Sequence, residues 1–268
     1  GDSLKMVTVF TPTYNRSYIL PELYKSLCKQ TNKNFEWLIV DDGSTDDTQK
    51  LISKWASENI INIKSIAIKN GGKSQAINVG VEYALGNLFF IVDSDDFLTD
   101  DAIEKILLAE KKLPKNIPPL AGFYFRRKNS KTNYVYNSEF NDLPDFATSL
   151  ELAFLYHQIY DKAEVFYTDV LRKFPFPKIK NNKFIPEALV WYRIANAGYK
   201  LCVNTDVIYL GNYIEDGYTK NFTSNLKKNP KGFMMYYKEC LFYEIIPLKN
   251  KIKYFIRYIQ CLIFSIGR

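Results

Sequence analysis

The chain has 268 residues, 47% of them apolar and 16% aromatic, with 20 Tyr and 19 Phe, which excludes a disordered chain and is long enough to bury a substantial core. A formal charge of +7 favours anionic partners, yet no helix-turn-helix, zinc-finger spacing or aromatic-basic RNA-reading signature accompanies it, so nucleic acid is not expected. Cys28, Cys202, Cys240 and Cys261 lack CxxC pairing and His157 is the only histidine, which suggests neither a zinc site nor a disulfide framework and leaves oxygen ligands for any metal, hence Mg²⁺ or Mn²⁺.

Strand and helix patterns alternate up to Leu113. Met6–Thr11 reads as a first strand, and a Pro/Asn turn leads to a helix over Ser17–Lys29 with Ile19, Leu20, Leu23 and Leu27 on one face. Phe35–Val40 is near-continuously apolar, as strands covered on both faces are, and it ends in Asp41-Asp42-Gly43-Ser44. A helix over Asp47–Glu58, a strand over Ile63–Ile68 and a helix over Ser74–Ala84, stopped by Gly86, follow. Leu88–Val92 repeats the apolar strand and ends in Asp93-Ser94-Asp95-Asp96, ahead of a helix over Asp100–Lys112. Such alternation specifies an α/β fold with a parallel sheet covered on both sides, in which ligands bind beyond the carboxyl ends of the strands. Both acidic clusters fall there. Asp and Ser also cap helices, but Asp41, Asp42, Asp46, Asp47, Asp93, Asp95 and Asp96 are more carboxylates than two caps need.

Beyond Pro118 the pattern changes. Leu120–Arg126 reads as a strand, Lys128–Asn133 as a polar turn and Tyr134–Tyr136 as a return strand. Asp161-Lys162-Ala163-Glu164 reads as charge ahead of a helix, and Lys178–Lys183 as a basic loop. A helix over Pro186–Asn196 has Pro near its first turn and Gly198 past its end; Leu201–Val203 and Val207–Tyr213 are expected strands. In the tail, Lys249, Lys251, Lys253 and Arg257 alternate with Ile252, Phe255, Ile256, Ile259, Leu262, Ile263 and Phe264. Two readings fit: a basic amphipathic helix on an anionic membrane surface, or a terminal helix docked on the body.

Thr11–Arg16 (TPTYNR), Val40–Thr48 (VDDGSTDDT), Asn70–Gly80 (NGGKSQAINVG) and Asp93–Asp96 (DSDD) together resemble the family 2 glycosyltransferases of the GT-A fold. The resemblance covers the chain to Leu113 and extends more loosely to Gly217. It implies a GT-A Rossmann-like, mostly parallel sheet flanked by helices, an acceptor-side α+β portion and a helical C-terminal tail. The domain expectation is a catalytic unit over 1–225, split into a nucleotide-binding half (1–113) and an acceptor-side half (114–225), with a basic helical extension over 226–268. The activity implied is inverting, metal-dependent transfer from a nucleotide sugar, usually UDP-linked, to a saccharide or lipid-linked acceptor in surface polysaccharide synthesis.

Carried onto this sequence, the resemblance puts Pro12 and Tyr14 at the base, with the Tyr14 ring stacked on it, and Asp42 as acceptor for the base N–H. Asp93 falls at the ribose, Asp95 at the Mn²⁺ or Mg²⁺ ion, and Lys73 beside the nucleotide, its charge complementing Asp42 or phosphate. Asn78 is expected to bond backbone around the acidic turn. Glu187 is the expected general base, a carboxylate at a helix start walled by Phe184 and Trp191; complementing the helix dipole is the plainer role. The family often reads Glu-Asp where this chain reads Glu187-Ala188. Asp161–Glu164 resembles a segment that in a subgroup abuts the donor sugar or acceptor, with helix-start charge the plainer role; Tyr213–Thr219 resembles a loop that closes over the diphosphate, and His157 is left without a role.

Gly72-Lys73-Ser74 imitates a P-loop ending, but Ala67 stands where a glycine is required. FFIVDSDD also resembles an Asp-nucleophile phosphatase of haloacid-dehalogenase type, a reading that leaves TPTYN and the first Asp pair unexplained. A third class is a non-catalytic sugar-nucleotide-binding protein. The scattered cysteines, with no signal peptide or bilayer-spanning run, lead to an expected cytoplasmic location, peripheral at the inner membrane face.

Overall fold

The computed structural model describes residues 5–211 and 222–266. The elements in chain order are β1 (Val7–Thr13), α1 (Leu20–Cys28), β2 (Phe35–Asp41), α2 (Thr48–Glu58), β3 (Ile63–Ala67), α3 (Lys73–Tyr83), β4 (Leu88–Ile91), β5 (Phe97–Leu98) and α4 (Ala102–Lys111). After them come β6 (Leu120–Asn129), β7 (Phe146–Ala147), α5 (Ser149–Phe154), β8 (Ala163–Tyr167), α6 (Thr168–Lys173), α7 (Ala188–Asn196), β9 (Lys200–Gly211), α8 (Phe222–Lys228), α9 (Pro230–Cys240) and α10 (Leu248–Ile266).

One sheet runs in the order β3-β2-β1-β4-β8-β6-β9-β5, with β7 beside β9. The first four strands are parallel. The apolar runs explain why: along β2, Phe35, Trp37 and Ile39 enter the core under α1, α2 and α4, while Leu38 and Val40 enter the one under α3, α6 and α7. Alternate side chains point to opposite faces, so a strand buried on both has no polar register. Trp37 lies beside Trp55 and Tyr24, with ring centroids 6.0 and 6.1 Å away.

The second half corrects several expectations. Residues 163–167 form β8, antiparallel to both β4 and β6, so Ala163 and Glu164 lie in a strand and not ahead of a helix. Leu201–Val203 and Val207–Tyr213 are not separate strands; 200–211 is the continuous β9, parallel to β6 with register shifts near Tyr124 and Arg126. Tyr213 lies outside the described residues. The expected return strand Tyr134–Tyr136 is reduced to a single bridge between Lys128 and Val135. At the C-terminal side, α9 packs on α7 and α10 on α9, through Tyr192, Tyr236, Tyr237 and Tyr254.

Candidate active site

Parallel strands β1, β2 and β4 deliver their carboxyl ends to one edge. There Asn15, with φ 52°, turns the chain back so that its N–H donates to Ser44 Oγ at 2.8 Å and its Oδ1 accepts from the Thr45 N–H at 2.8 Å. The Ser17 N–H donates to Asp46 Oδ2 at 3.1 Å, and Thr48 donates to Asp46 Oδ1 through its N–H and its hydroxyl. These bonds clamp the loop after β1 to the loop after β2. Pro12 is half-buried and pairs with Val40 beyond the point where β4 leaves β1, a position that tolerates a missing N–H. The Tyr14 ring is 48% exposed, directly after the carboxyl end of β1.

Asp42 is buried and accepts from the backbone of the α3 entry, 2.7 Å from the Gly71 N–H and 2.9 Å from the Gly72 N–H, with Asn70 Nδ2 at 3.2 Å. Burial pushes its carboxyl up, while the two N–H bonds and Lys183 hold it back. Gly72 is required here: its φ is 90° and a Cβ would meet the Lys183 carbonyl oxygen at 1.8 Å. Lys183 in turn donates from Nζ to Asn70 Oδ1 at 2.5 Å, drawing the basic loop over Asp42.

Lys73, the first residue of α3, does not pair with Asp42. Its Nζ lies 2.7 Å from Asp93 Oδ1 and 2.6 Å from Glu187 Oε1. Burial alone would lower its pKa, but the charges of Asp93 and Glu187 reverse this and raise it. The ammonium therefore ties the carboxyl end of β4 to the start of α7. Glu187 occupies the N-cap position of α7 without making a side-chain cap hydrogen bond, so its carboxylate is committed to the cleft and not to the helix end.

Asp95 is half-buried. Burial, then the Asp93 charge, push its carboxyl up, and Arg16 and Lys73 pull it down. Asp96 has a different environment. It is buried, forms paired bonds of 2.9 and 3.0 Å with Arg127 and accepts from the Tyr209 hydroxyl at 2.8 Å; that hydroxyl in turn accepts from the Asp93 N–H at 3.1 Å. Burial pushes Asp96 up to about 7, against the pull of Arg127. Of the acidic residues counted in the sequence, Asp42, Asp93 and Asp95 lie just past the carboxyl ends of β2 and β4, Asp41 accepts from the Ser44 N–H within its own turn, Asp46 ties loops, Asp47 pairs with Lys50 on the surface, and Asp96 joins strands.

Sequence reasoning missed Arg127, and it singled out Glu164 only within Asp161–Glu164, weighted as charge ahead of a helix. Glu164 lies on β8, its carboxyl pushed up by burial, with Glu187 among the charges acting on it. The Glu164 carboxylate accepts from the Ser149 hydroxyl at 3.4 Å. Asn78 has a bracing role, with a different partner from the expected acidic turn: it donates to the Phe176 carbonyl and accepts from the Phe176 N–H. His157 packs on Phe140. The expected closing loop, Tyr213–Thr219, lies outside the described residues.

Residues 8–173 match the family described as Glycosyl transferase family 2. An uncharacterized glycosyltransferase of Rickettsia conorii is 42% identical over 129 residues, 48% of this chain and 20% of that protein. The glycosyltransferase GlyG of Streptococcus pneumoniae is 32% identical over 133 residues, 49% of this chain and 43% of that one. The chain thus spans less than half the length of these relatives. Among solved structures, residues 1–349 of TarS from Staphylococcus aureus in complex with UDP-GlcNAc superpose with TM-score 0.70 at 20% identity, covering 96% of this chain and 72% of that one. The mannosyltransferase PcManGT of Pyrobaculum calidifontis, in complex with GDP-Man and Mn²⁺, gives 0.62 at 19% identity, covering 99% and 74%. At these identities the superpositions establish the GT-A-like fold.

Proposed function

Since the chain belongs to glycosyl transferase family 2, we propose that it is a metal-dependent inverting glycosyltransferase, moving a sugar from a UDP-linked donor to a saccharide or lipid-linked acceptor in surface polysaccharide synthesis. The observation that carries the reading is the Lys73 bridge, which brings the acid at the end of β4 and the acid at the start of α7 to one ammonium. Donor-side and acceptor-side carboxylates then flank a single cleft, as in-line displacement at an anomeric carbon requires. An Asp-nucleophile phosphatase is set aside with the family assignment. In a non-catalytic sugar-nucleotide-binding protein, Glu187 would have no proton to take.

On this reading Tyr14 stacks on the base and Pro12 shapes the wall behind it, while the acceptor capacity left on Asp42 takes the base N–H. Asp93 accepts from a ribose hydroxyl. Glu187 takes the proton of the acceptor hydroxyl as its oxygen bonds to the anomeric carbon; the bond to the diphosphate oxygen breaks on the opposite face and its electron pair leaves with the diphosphate. Lys73 then faces new negative charge on the phosphates, which stabilises the departing group.

The donor set suits a hard divalent ion. Among the described residues no group of three His, Cys, Asp or Glu forms a preformed cage, and Mg²⁺-like ions are held by one or two carboxylates plus substrate phosphates and water. Asp95 is the residue that would hold it. Once bound, Mn²⁺ or Mg²⁺ supplies charge neutralisation between carboxylate and diphosphate. The setting proposed is cytoplasmic. Incubating the protein with a panel of nucleotide sugars, with Mn²⁺ or with chelator, tests the reading: metal-dependent release of a nucleoside diphosphate is expected from at least one donor. Binding of a donor without transfer or slow hydrolysis would instead favour the non-catalytic alternative.

A further inference from the structure

Helix α10 carries apolar side chains on two opposite faces. One is turned inward: Cys261 is fully buried against Leu226, Phe233 and Tyr237, and the Tyr254 ring lies 5.6 Å from that of Tyr237. On the other, Ile252, Phe255, Ile256, Ile259, Ile263 and Ile266 recur at helical spacings of three and four, which place them on one face, and they are between 38% and 85% exposed. A continuous row of this kind marks an interaction surface. The tail therefore docks on the body and still has an outward apolar face.

The charges around that face identify its partner. Every ionisable side chain of α10 other than its two tyrosines and one cysteine is cationic: Lys249, Lys251, Lys253 and Arg257. Helical geometry sets Lys249 and Lys253, four residues apart and both exposed, along one border of the apolar row, with Lys251 at the other. Against a second copy of the chain, a two-fold contact would bring these cationic borders together. Among the described residues no helix is long and apolar enough to cross a membrane.

We propose that this face of α10 lies in the interfacial layer of an anionic lipid bilayer, its apolar row entering between the headgroups while Lys249, Lys251 and Lys253 remain level with the lipid phosphates. The seat is firmly coupled to the cleft. Helix α10 packs on α9, and Glu239 of α9 pairs with Arg193 of α7 at 2.6 Å; Glu187 stands at the N-terminal end of α7. Lipid contact would thereby seat the α7–α9–α10 side of the molecule at the membrane. The inference stands apart from the donor chemistry, since vesicle binding is measured without nucleotide or acceptor.

The test is flotation of the full chain with vesicles of phosphatidylcholine alone and of phosphatidylcholine with phosphatidylglycerol. Binding to the anionic vesicles only, weakening as salt rises, is expected. Lys249→Gln and Lys253→Gln should each lower the partition about fivefold, and Ile256→Asp should abolish it with thermal melting unchanged. Phe255→Trp gives a second readout: its emission should shift to the blue on adding anionic vesicles. Equal or absent binding to both vesicle types would overturn the proposal, and so would a dimer in solution that Ile256→Asp dissociates, which would assign the face to a second copy.

Discussion

At Lys73 a single ammonium neutralises two carboxylates from opposite sides of the cleft, so the residues around it separate by function when substituted. On the proposed mechanism, Glu187→Gln keeps the shape and loses the proton acceptor. Transfer is expected to fall by about two to four orders of magnitude with donor affinity retained, as read by titration calorimetry beside initial rates. On the proposed reading, in which Asp95 holds the ion together with substrate phosphates, Asp95→Ala should abolish the metal dependence of donor binding; undiminished Mn²⁺-dependent affinity would move the ion elsewhere. That Glu187 begins a helix was legible from its place before an aromatic-rich run. Its ion pair was not, because the spacing of positions 73 and 187 in the chain says nothing about which turns of α3 and α7 meet.

Elements of the first half were readable because each is regular on its own terms. β2 and β4 are uninterrupted apolar runs, and α3 is opened by glycines and closed before Gly86. β5 in the first half and the strands of the second half give weaker signals. β5 and β7 have two residues each, and β9 carries Asn204, Thr205 and Asp206 in its middle, which splits its pattern into two runs. β8 follows Asp161 and Lys162, which imitate a helix start; its antiparallel partners on both sides decide its conformation. Loop clamping gives a prediction at this scale. Asp46 is exposed, and although its slight burial acts the other way, bonds from Thr48 and Ser17 lower its carboxyl to about 2 from 3.8. The stabilisation is therefore fully present above 3.8 and is lost as pH falls through about 2. The melting-temperature gap between the protein and Asp46→Asn should accordingly be constant near neutrality and close in strong acid.

Across the whole molecule the first and second halves of the chain share one sheet, and the buried Asp96–Arg127–Tyr209 group lies at their junction, joining the turn after β4 to β6 and β9. Arg127→Met would leave Asp96 buried without its counter-charge. Removing one partner of a buried pair costs about 3–5 kcal/mol, so urea unfolding should show a loss of that size, reduced in the Asp96→Asn, Arg127→Met double variant. An unchanged midpoint would mean that the junction tolerates an unpaired carboxylate. The two halves also suggest how sugar specificity can be re-engineered. A chimera keeping this chain's first half and taking its second half from another family member has to reproduce the links that cross between them, Lys73 to Glu187 and Asp96 to Arg127 among them; on the proposed mechanism, a recombinant whose crossover misplaces that glutamate would fold around a site with its proton acceptor out of register.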